Sequence, residues 1–227
     1  MNAWLYALLT AQQQDDLPFY TTAAKSILEL GSGLGRTLLP CAQNGADCTG
    51  LDNNPEFIAL CQQAFEDHGQ SVNLHEGDMA QFELNRRFEQ IQIPLRTFQL
   101  LSPEDWLSCL QSCRRHLVPK GQLIFHISPS LHSQATQAWT AIDTRESTDG
   151  GWFLLEEALL SQDRHSLLLH KATHILQNGA ENQVWLMRHQ LYHLDQDTAI
   201  ALLHQSGFQI IQALDFGHDV VLKAQAQ

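Results

Sequence analysis

Short apolar runs and longer segments with helical spacing alternate along the first 130 residues. The apolar runs predict strands at 27–30, 48–51, 72–75, 88–93 and 122–127. The intervening segments carry apolar residues every three to four positions and begin or end at Ser, Pro or Gly; they lie at 36–44, 55–68 and from 103 onward. Strands that alternate with helices predict a doubly wound α/β fold with a mostly parallel sheet.

The pattern changes at about residue 130. Residues 131–142 predict a helix and 143–151 a polar loop, and three extended segments follow at 152–160, 165–176 and 184–194. Asn178-Gly179 is the strongest hairpin signal in the chain, so these segments predict an added three-stranded antiparallel sheet. A helix capped by Asp195 and two further strands then return to the main sheet, giving seven strands with the last one antiparallel.

A glycine-rich loop follows the first strand. Gly31, Gly33 and Gly35 remove three side chains where the backbone turns from the strand into a helix, which lets a ligand lie against the main chain. The dinucleotide fingerprint G-x-G-x-x-G would need glycine at Arg36, and the G-K-[ST] of a phosphate-binding P-loop is absent. The spacing therefore predicts a nucleotide-type loop that differs from both.

Asp52 ends the second strand, 21 residues beyond Gly31. At this separation a carboxylate at the tip of the next strand accepts hydrogen bonds from ribose hydroxyls. The alternative is that Asp52 caps the following helix, although Asn53 or Asn54 could also provide that cap. We therefore favour ribose binding.

The segment E-L-G-S-G-L-G at 29–35 resembles the first motif of class I S-adenosylmethionine-dependent methyltransferases. The resemblance implies that Glu29 faces the methionine end of the cofactor. It also implies that Asp78 and Met79, after the third strand, line the adenine site. With the residues at the strand tips, the candidate cofactor-binding set is Tyr6, Tyr20, Glu29, Gly31, Gly33, Gly35, Asp52, Asn53, Asp78, Met79 and Pro94.

The same resemblance extends to the ends of the cofactor-binding core. The run 88–93 is less apolar than a central parallel strand usually is, since it reads F-E-Q-I-Q-I. It matches the fourth strand of the family, which ends beside the transferable methyl group.

In relatives, helices before the first strand cover the cofactor. Tyr6 and Tyr20 match tyrosines of that segment, and each could instead anchor it to the core.

The resemblance implies methyl transfer from S-adenosylmethionine to a small-molecule acceptor by direct displacement. Candidate acceptor-binding residues are Arg96, Phe98, Trp152 and Tyr192, although the aromatic residues of the added strands could form that sheet's own core or a dimer contact. No residue is assigned as catalytic; Tyr20, His126 and His132 are the candidates for a general base. A cofactor-binding regulator or pseudoenzyme without transferase activity is the alternative, and an NAD-dependent reductase is a third hypothesis.

Composition and charge restrict the kinds of partner that the protein can bind. The 227 residues carry 13 Lys and Arg against 25 Asp and Glu, so a net charge of −12 opposes binding to a nucleic acid. Nothing approaches the length of a membrane span, and five cysteines without C-x-x-C pairs indicate core thiols of a cytoplasmic protein. The six histidines at 165–204 are not accompanied in the sequence by the nearby carboxylates or cysteines that complete a metal site, so we expect no metal. We expect a monomer or homodimer.

Together these features predict one methyltransferase domain over 1–227. Its expected parts are an N-terminal helical lid at 1–25, a cofactor-binding core at 26–129, an antiparallel excursion over the acceptor site at 130–194, and the last helix and strands of the core at 195–227.

Overall fold

The computed structural model describes residues 3–10, 15–135 and 138–227, which divide into two compact units. The larger unit contains Gln14–Pro129 and Leu194–Gln227, and the smaller contains Met1–Gln13 and Ser130–His193. The chain therefore divides between residues 129 and 130, where the excursion is predicted to begin. Organisation as a single domain stays a prediction.

The described residues of the larger unit form seven strands and five helices. The strands are β1 (Ser26–Leu30), β2 (Asp47–Asp52), β3 (Asn73–Glu76), β4 (Phe88–Ile93), β5 (Leu117–Ile127), β10 (Phe208–Phe216) and β11 (Asp219–Ala226). The helices are α2 (Leu17–Tyr20), α3 (Leu38–Gln43), α4 (Pro55–Asp67), α5 (Pro103–His116) and α6 (Gln196–Gln205). A short 3-10 helix, Thr97–Leu100, follows β4.

The seven strands form one sheet in the order β3-β2-β1-β4-β5-β11-β10. The first five strands are parallel, and β11 runs antiparallel to β5 and to β10. Ile27 and Cys48 are direct partners in β1 and β2, which confirms the predicted adjacency of these strands. The strand order reverses beside β1, so the carboxyl ends of β1, β2 and β4 meet at a switch point where α/β proteins bind ligands.

Local sequence explains why the helices start where they do. Pro40, which looks misplaced inside a helix at 36–44, lies in the first turn of α3, where no backbone donor is lost. The Asn54 side chain caps α4, and Asp195 caps α6 by accepting from the Thr198 amide. Apolar residues of β1, β2, α3 and α4 then close one core, comprising Ile27, Leu38, Cys41, Ala42, Cys48, Cys61 and Phe65.

The smaller unit is a four-stranded antiparallel sheet with one helix against it. Its strands, in the order β6-β7-β8-β9, are β6 (Thr140–Glu146), β7 (Trp152–Ser161), β8 (His165–Ile175) and β9 (Glu181–Tyr192). Leu5 and Leu9 of α1 (Ala3–Thr10) pack on the buried Leu155, Ala172 and Met187 of this sheet. A second 3-10 helix, Leu131–Gln134, also belongs to this unit.

Two predictions for this region were wrong. The predicted helix at 131–142 is a single 3-10 turn followed by the start of β6, and the sheet has four strands instead of three. The fourth strand was missed because Thr140–Glu146 is mostly exposed and has little apolar alternation. Pairing with β7 supplies the backbone hydrogen bonds that make it a strand.

No helix among the described residues is long and apolar enough to span a membrane. The five cysteines, Cys41, Cys48, Cys61, Cys109 and Cys113, are all free thiols and all buried.

Candidate cofactor site

The glycine loop lies between β1 and α3. Gly31, Gly33 and Gly35 have φ angles of 64°, 51° and 78°, in the left-handed region that glycine adopts without strain. A Cβ on Gly31 would clash with the Thr97 side chain, and a Cβ on Gly35 would come within 2.8 Å of the Cys61 sulfur. Backbone conformation and close packing therefore both require glycine in this loop.

Asp52 holds the loop through its carboxylate. Oδ2 accepts from the Gly33 amide at 2.8 Å, and Oδ1 accepts from the Asn54 amide at 2.9 Å. The α4 cap is Asn54, whose Oδ1 accepts from the Glu56 amide at 3.0 Å, so capping does not need Asp52. Asp52 is 8% exposed, and its carboxylate joins the glycine loop to the tip of β2.

Glu29 lies at the carboxyl end of β1 and is almost fully buried. The Thr37 hydroxyl and the Gln92 amide both donate to its Oε2, the amide at 2.5 Å. Burial raises the pKa of Glu29 to about 7, although these two hydrogen bonds act in the opposite direction. Glu29 is therefore a carboxyl group whose charge changes near neutral pH.

A buried ion pair joins the N-terminal segment to the glycine loop. Arg36 donates from Nη1 and Nη2 to the two carboxylate oxygens of Asp16, at 2.6 and 2.7 Å. The side chains are 14% and 3% exposed. Sequence reasoning missed this pair, although the signal was available, since Arg36 stands where a dinucleotide loop has glycine.

Three buried hydroxyl groups of this unit lack hydrogen-bond partners among the described residues: Tyr20 Oη, Ser32 Oγ of the glycine loop and Thr49 Oγ1 of β2. Burial raises the pKa of Tyr20 above its ordinary value, so its phenol is a neutral donor and not a general base. A buried polar atom without a partner is costly and often marks a ligand position. The hydroxyls, the open glycine backbone and two carboxylates therefore fit a polar nucleoside-type cofactor.

The predicted adenine residues follow β3. Asp78 is exposed, and its Oδ1 accepts from the Ala80 amide at 2.8 Å within a turn, while Met79 is half-buried. Asn53 is exposed beside Asp52. The Gly77 amide bonds the Asp52 carbonyl at 3.0 Å, which brings the β3 loop to the tip of β2.

The loop after β4 contains two strained residues. Leu95 and Arg96 have φ angles of 50° and 61°, which cost roughly 1–2 kcal/mol for a residue with a Cβ. Thr97 donates its amide to the buried Pro94 carbonyl at 3.0 Å and closes the turn against Gly31. Sequence could not reveal this turn because neither position has glycine, asparagine or aspartate. Such strain is often found at functional sites.

Phe98 belongs to the core. It is fully buried, with its ring centroid 5.3 Å from that of Phe125 and 6.2 Å from that of Trp106. This position leaves Phe98 out of the acceptor-contacting groups that we propose below.

A histidine–carboxylate pair lies at the carboxyl end of β5. His126 Nε2 is 2.9 Å from Asp219 Oδ2, and His126 is 2% exposed. Burial opposes ionisation of Asp219, but the His126 hydrogen bond and the positive charge of Arg96 hold its pKa below the usual range. The positive charge of Arg96 therefore acts on this pair.

The candidate residues of the smaller unit are not brought together. Tyr6 packs with the α1 cluster, and Phe153, Trp185 and Met187 form part of the same core. Trp152 pairs with Ile175 and Tyr192 pairs with His165, at opposite ends of β8, which are about 33 Å apart at 3.3 Å per residue. Trp152 and Tyr192 therefore cannot both contact one small acceptor. The His132 side chain lies outside the described part of the structure.

The described residues contain no group of three or more His, Cys, Asp or Glu side chains placed to hold a metal ion.

Comparison with known proteins agrees with this geometry. Residues 27–121 match a family model described as a methyltransferase domain, and this range runs from β1 and the glycine loop into β5. The fold of the whole chain resembles those of solved S-adenosylmethionine-dependent methyltransferases. The chain has the predicted seven-stranded Rossmann-like sheet, and the added antiparallel strands follow β5 in the sequence.

Individual relatives are distant. The chain is 29% identical over 104 residues to the ubiquinone biosynthesis O-methyltransferase of Actinobacillus pleuropneumoniae serotype 5b (strain L20), and the match covers 44% of each protein. Streptomyces venezuelae DesVI has a TM-score of 0.83 and 17% identity, covering 100% of this chain and 99% of that one. CalS10 of Micromonospora echinaspora, an amino pentose methyltransferase solved with S-adenosylmethionine, has a TM-score of 0.73 and 16% identity, covering 98% and 92%.

Proposed function

We propose that the protein transfers a methyl group from S-adenosylmethionine to a small-molecule acceptor by direct displacement. The observation that carries the proposal is the convergence, at one sheet edge, of the three-glycine loop, the Asp52 carboxylate that holds it and the Glu29 carboxyl. The match of residues 27–121 to a methyltransferase domain and the unpartnered hydroxyls of Tyr20 and Ser32 support the same cofactor.

In this proposal each end of the cofactor has its own protein groups. Asp52 and Asn53 take the ribose hydroxyls, Asp78 and Met79 take the adenine, and Glu29 takes the amino-acid end. The glycines at 31, 33 and 35 allow close approach of the ligand to the backbone. Tyr20 and Pro94 complete the set in the larger unit, and the role of Tyr6 in the smaller unit stays a prediction.

The bound sulfonium supplies an electrophilic methyl group, so the protein mainly has to align the acceptor and exclude water. Arg96 is the proposed acceptor contact of the larger unit, and the roles of Trp152 and Tyr192 in the smaller unit stay predictions, as alternatives to each other. An acceptor that must lose a proton could use the His126–Asp219 pair, since a carboxylate-paired imidazole can accept one. Whether nitrogen, oxygen, carbon or sulfur is methylated stays open.

Several features support a small acceptor. DesVI and CalS10 cover nearly the whole chain, including the added sheet, and CalS10 acts on an amino pentose. The net charge of −12 disfavours nucleic acid. We further propose a cytoplasmic monomer or homodimer, since five free buried thiols fit a reducing compartment.

The test is methyl transfer from S-adenosylmethionine with a labelled methyl group to fractionated small metabolites. We expect label in a low-mass product and equimolar S-adenosylhomocysteine, and we expect Asp52→Ala to reduce both. Label in protein or nucleic acid would contradict a small acceptor. Binding of the cofactor without transfer to any fraction would favour the regulator instead.

A further inference from the structure

Two glutamines, Gln90 and Gln92, are buried on the central strand β4, where apolar residues are usual. Gln90 is 1% exposed and Gln92 is 0% exposed. Both point to the sheet face that carries Glu29, because Gln92 is the direct partner of Glu29 in the neighbouring strand β1. A buried amide is unfavourable unless its polar atoms are bonded, so its partners indicate its role.

The two amides form a ladder of hydrogen bonds. Gln90 Nε2 donates to Gln92 Oε1 at 2.7 Å, and Gln92 Nε2 donates to Glu29 Oε2 at 2.5 Å. At the other end, Gln90 donates to the Tyr20 carbonyl at 2.9 Å and accepts from the Thr22 hydroxyl at 2.6 Å. The ladder thus connects the N-terminal segment to the carboxyl group at the tip of β1.

The ladder allows only one orientation of the Gln92 amide. If this amide were flipped, its oxygen would face the Glu29 carboxylate and its NH₂ group would face the NH₂ group of Gln90. Both contacts would then be repulsive. Gln90 therefore ensures that Gln92 presents a donor to Glu29.

This donor also determines which oxygen of Glu29 is left for a ligand. The Gln92 amide and the Thr37 hydroxyl converge on Oε2. Among the described residues, no group donates a hydrogen bond to the other carboxylate oxygen of Glu29, Oε1. A ligand cation that approaches Glu29 would therefore meet Oε1, while Oε2 stays bonded inside the protein.

We propose that Gln92, oriented by Gln90, is a positioning residue that favours the ionised form of Glu29 and turns its carboxylate toward the ammonium group at the amino-acid end of the cofactor. The inference rests on the proposed function, since it needs S-adenosylmethionine or its product as the ligand. It adds two residues to the cofactor site that touch no ligand and act through Glu29.

Few groups around Glu29 complicate a pH measurement. Facing it are the Arg36–Asp16 ion pair, the Tyr20 phenol, and the thiols of Cys41 on α3, Cys48 on β2 and Cys61 on α4. Burial raises the pKa of both Cys41 and Cys61 to about 12, and it also raises the pKa of Tyr20 and of Cys48. These thiols and the phenol stay neutral between pH 5.5 and 8.5, so Glu29 is the buried acid that titrates.

The experiment measures affinity for S-adenosylhomocysteine by calorimetry across roughly pH 5.5–8.5. The wild-type affinity should rise as pH passes the Glu29 pKa of about 7. Gln92→Met removes a donor that favours the ionised form, so the midpoint should move upward by about one pH unit, with a loss of affinity of about fivefold at pH 7 and about tenfold at pH 6 and below. Gln90→Met should shift the midpoint in the same direction by less.

Two controls separate positioning from folding. Methylthioadenosine, which lacks the amino-acid end, should show no such midpoint with any variant. Gln99→Met removes another buried glutamine, which bonds the Ser128 backbone, and should leave the midpoint unchanged.

The outcomes distinguish this proposal from the proposed function. An affinity loss of Gln92→Met that is equal at every pH, with an unmoved midpoint, would overturn the positioning role. If Gln92→Met does not fold, the midpoint of Gln90→Met decides by the same criterion. Wild-type protein that binds no S-adenosylhomocysteine at any pH would instead refute the proposed function.

Discussion

Arg36 and Asp16 form a two-point ion pair that ties the segment before α2 to the glycine loop. Both side chains are largely buried, so each charge depends on the other for solvation. The segment that begins at Asp16 also carries Tyr20, whose hydroxyl has no partner in the described structure. The ion pair therefore places a free hydroxyl donor with the loop that we assign to the cofactor.

Breaking this pair should destabilise the protein strongly. Arg36→Met leaves Asp16 buried without its partner and should lower the free energy of unfolding by about 3–5 kcal/mol. The double variant with Asp16→Leu should lose less than the sum of the two single variants, because neither charge is then stranded. Urea unfolding of the four proteins measures this coupling, and additive effects would show that the ion pair contributes little.

Asp52→Ala should weaken cofactor binding far more than folding. Loss of a charged acceptor of the ribose hydroxyls should reduce affinity about ten- to a hundredfold, or about 1.5–3 kcal/mol. Asn54→Ala is the matched control, since it removes the α4 cap and should cost about 1 kcal/mol of stability with unchanged affinity. Calorimetry and thermal unfolding measure the two effects. A fall in the thermal midpoint of Asp52→Ala with unaltered affinity would assign Asp52 a structural role.

Glu29 should reduce the stability of the free protein above neutral pH. Its pKa is raised from 4.5 to about 7 by burial, so the folded state binds the proton more tightly than the unfolded state. The associated stability is present below pH 4.5 and is lost as pH rises through 7, a change of about 3 kcal/mol.

Glu29→Gln should lack this pH dependence. At pH 8 the variant should unfold at higher urea concentration than the wild type, and it should also bind S-adenosylhomocysteine less tightly. This combination would identify Glu29 as a residue kept for binding at the expense of stability. A wild-type protein whose stability relative to Glu29→Gln is the same at pH 5 and pH 8 would contradict the raised pKa.

Much of the fold could be predicted because its signals are local. Short stretches of sequence are enough to predict the apolar runs of β1 and β2, the glycine loop and the position of Asp52. The pairing of Ile27 with Cys48 confirms that β1 and β2 are neighbours, as these stretches predict. The hydrogen bond from Gly33 to Asp52 then joins the glycine loop to a residue that sequence reasoning had linked to it only by its separation from Gly31.

Other parts of the site depend on long-range contacts. Gln90 and Gln92 look out of place in a central strand until their bonds to Tyr20, Thr22 and Glu29 are known. Trp152 and Tyr192 were grouped because both are aromatic residues of the added strands. The register of β8 places them at opposite ends, which no local pattern could reveal.

The central claim is that the edge formed by Glu29, the glycine loop and Asp52 binds S-adenosylmethionine. Calorimetric titration of the folded wild-type protein with S-adenosylhomocysteine, beside a parallel titration with NADH, tests it most directly. The account predicts saturable one-to-one binding of S-adenosylhomocysteine that weakens in Asp52→Ala, and no heat of binding with NADH. Saturable binding of NADH, or no heat with S-adenosylhomocysteine, would contradict it.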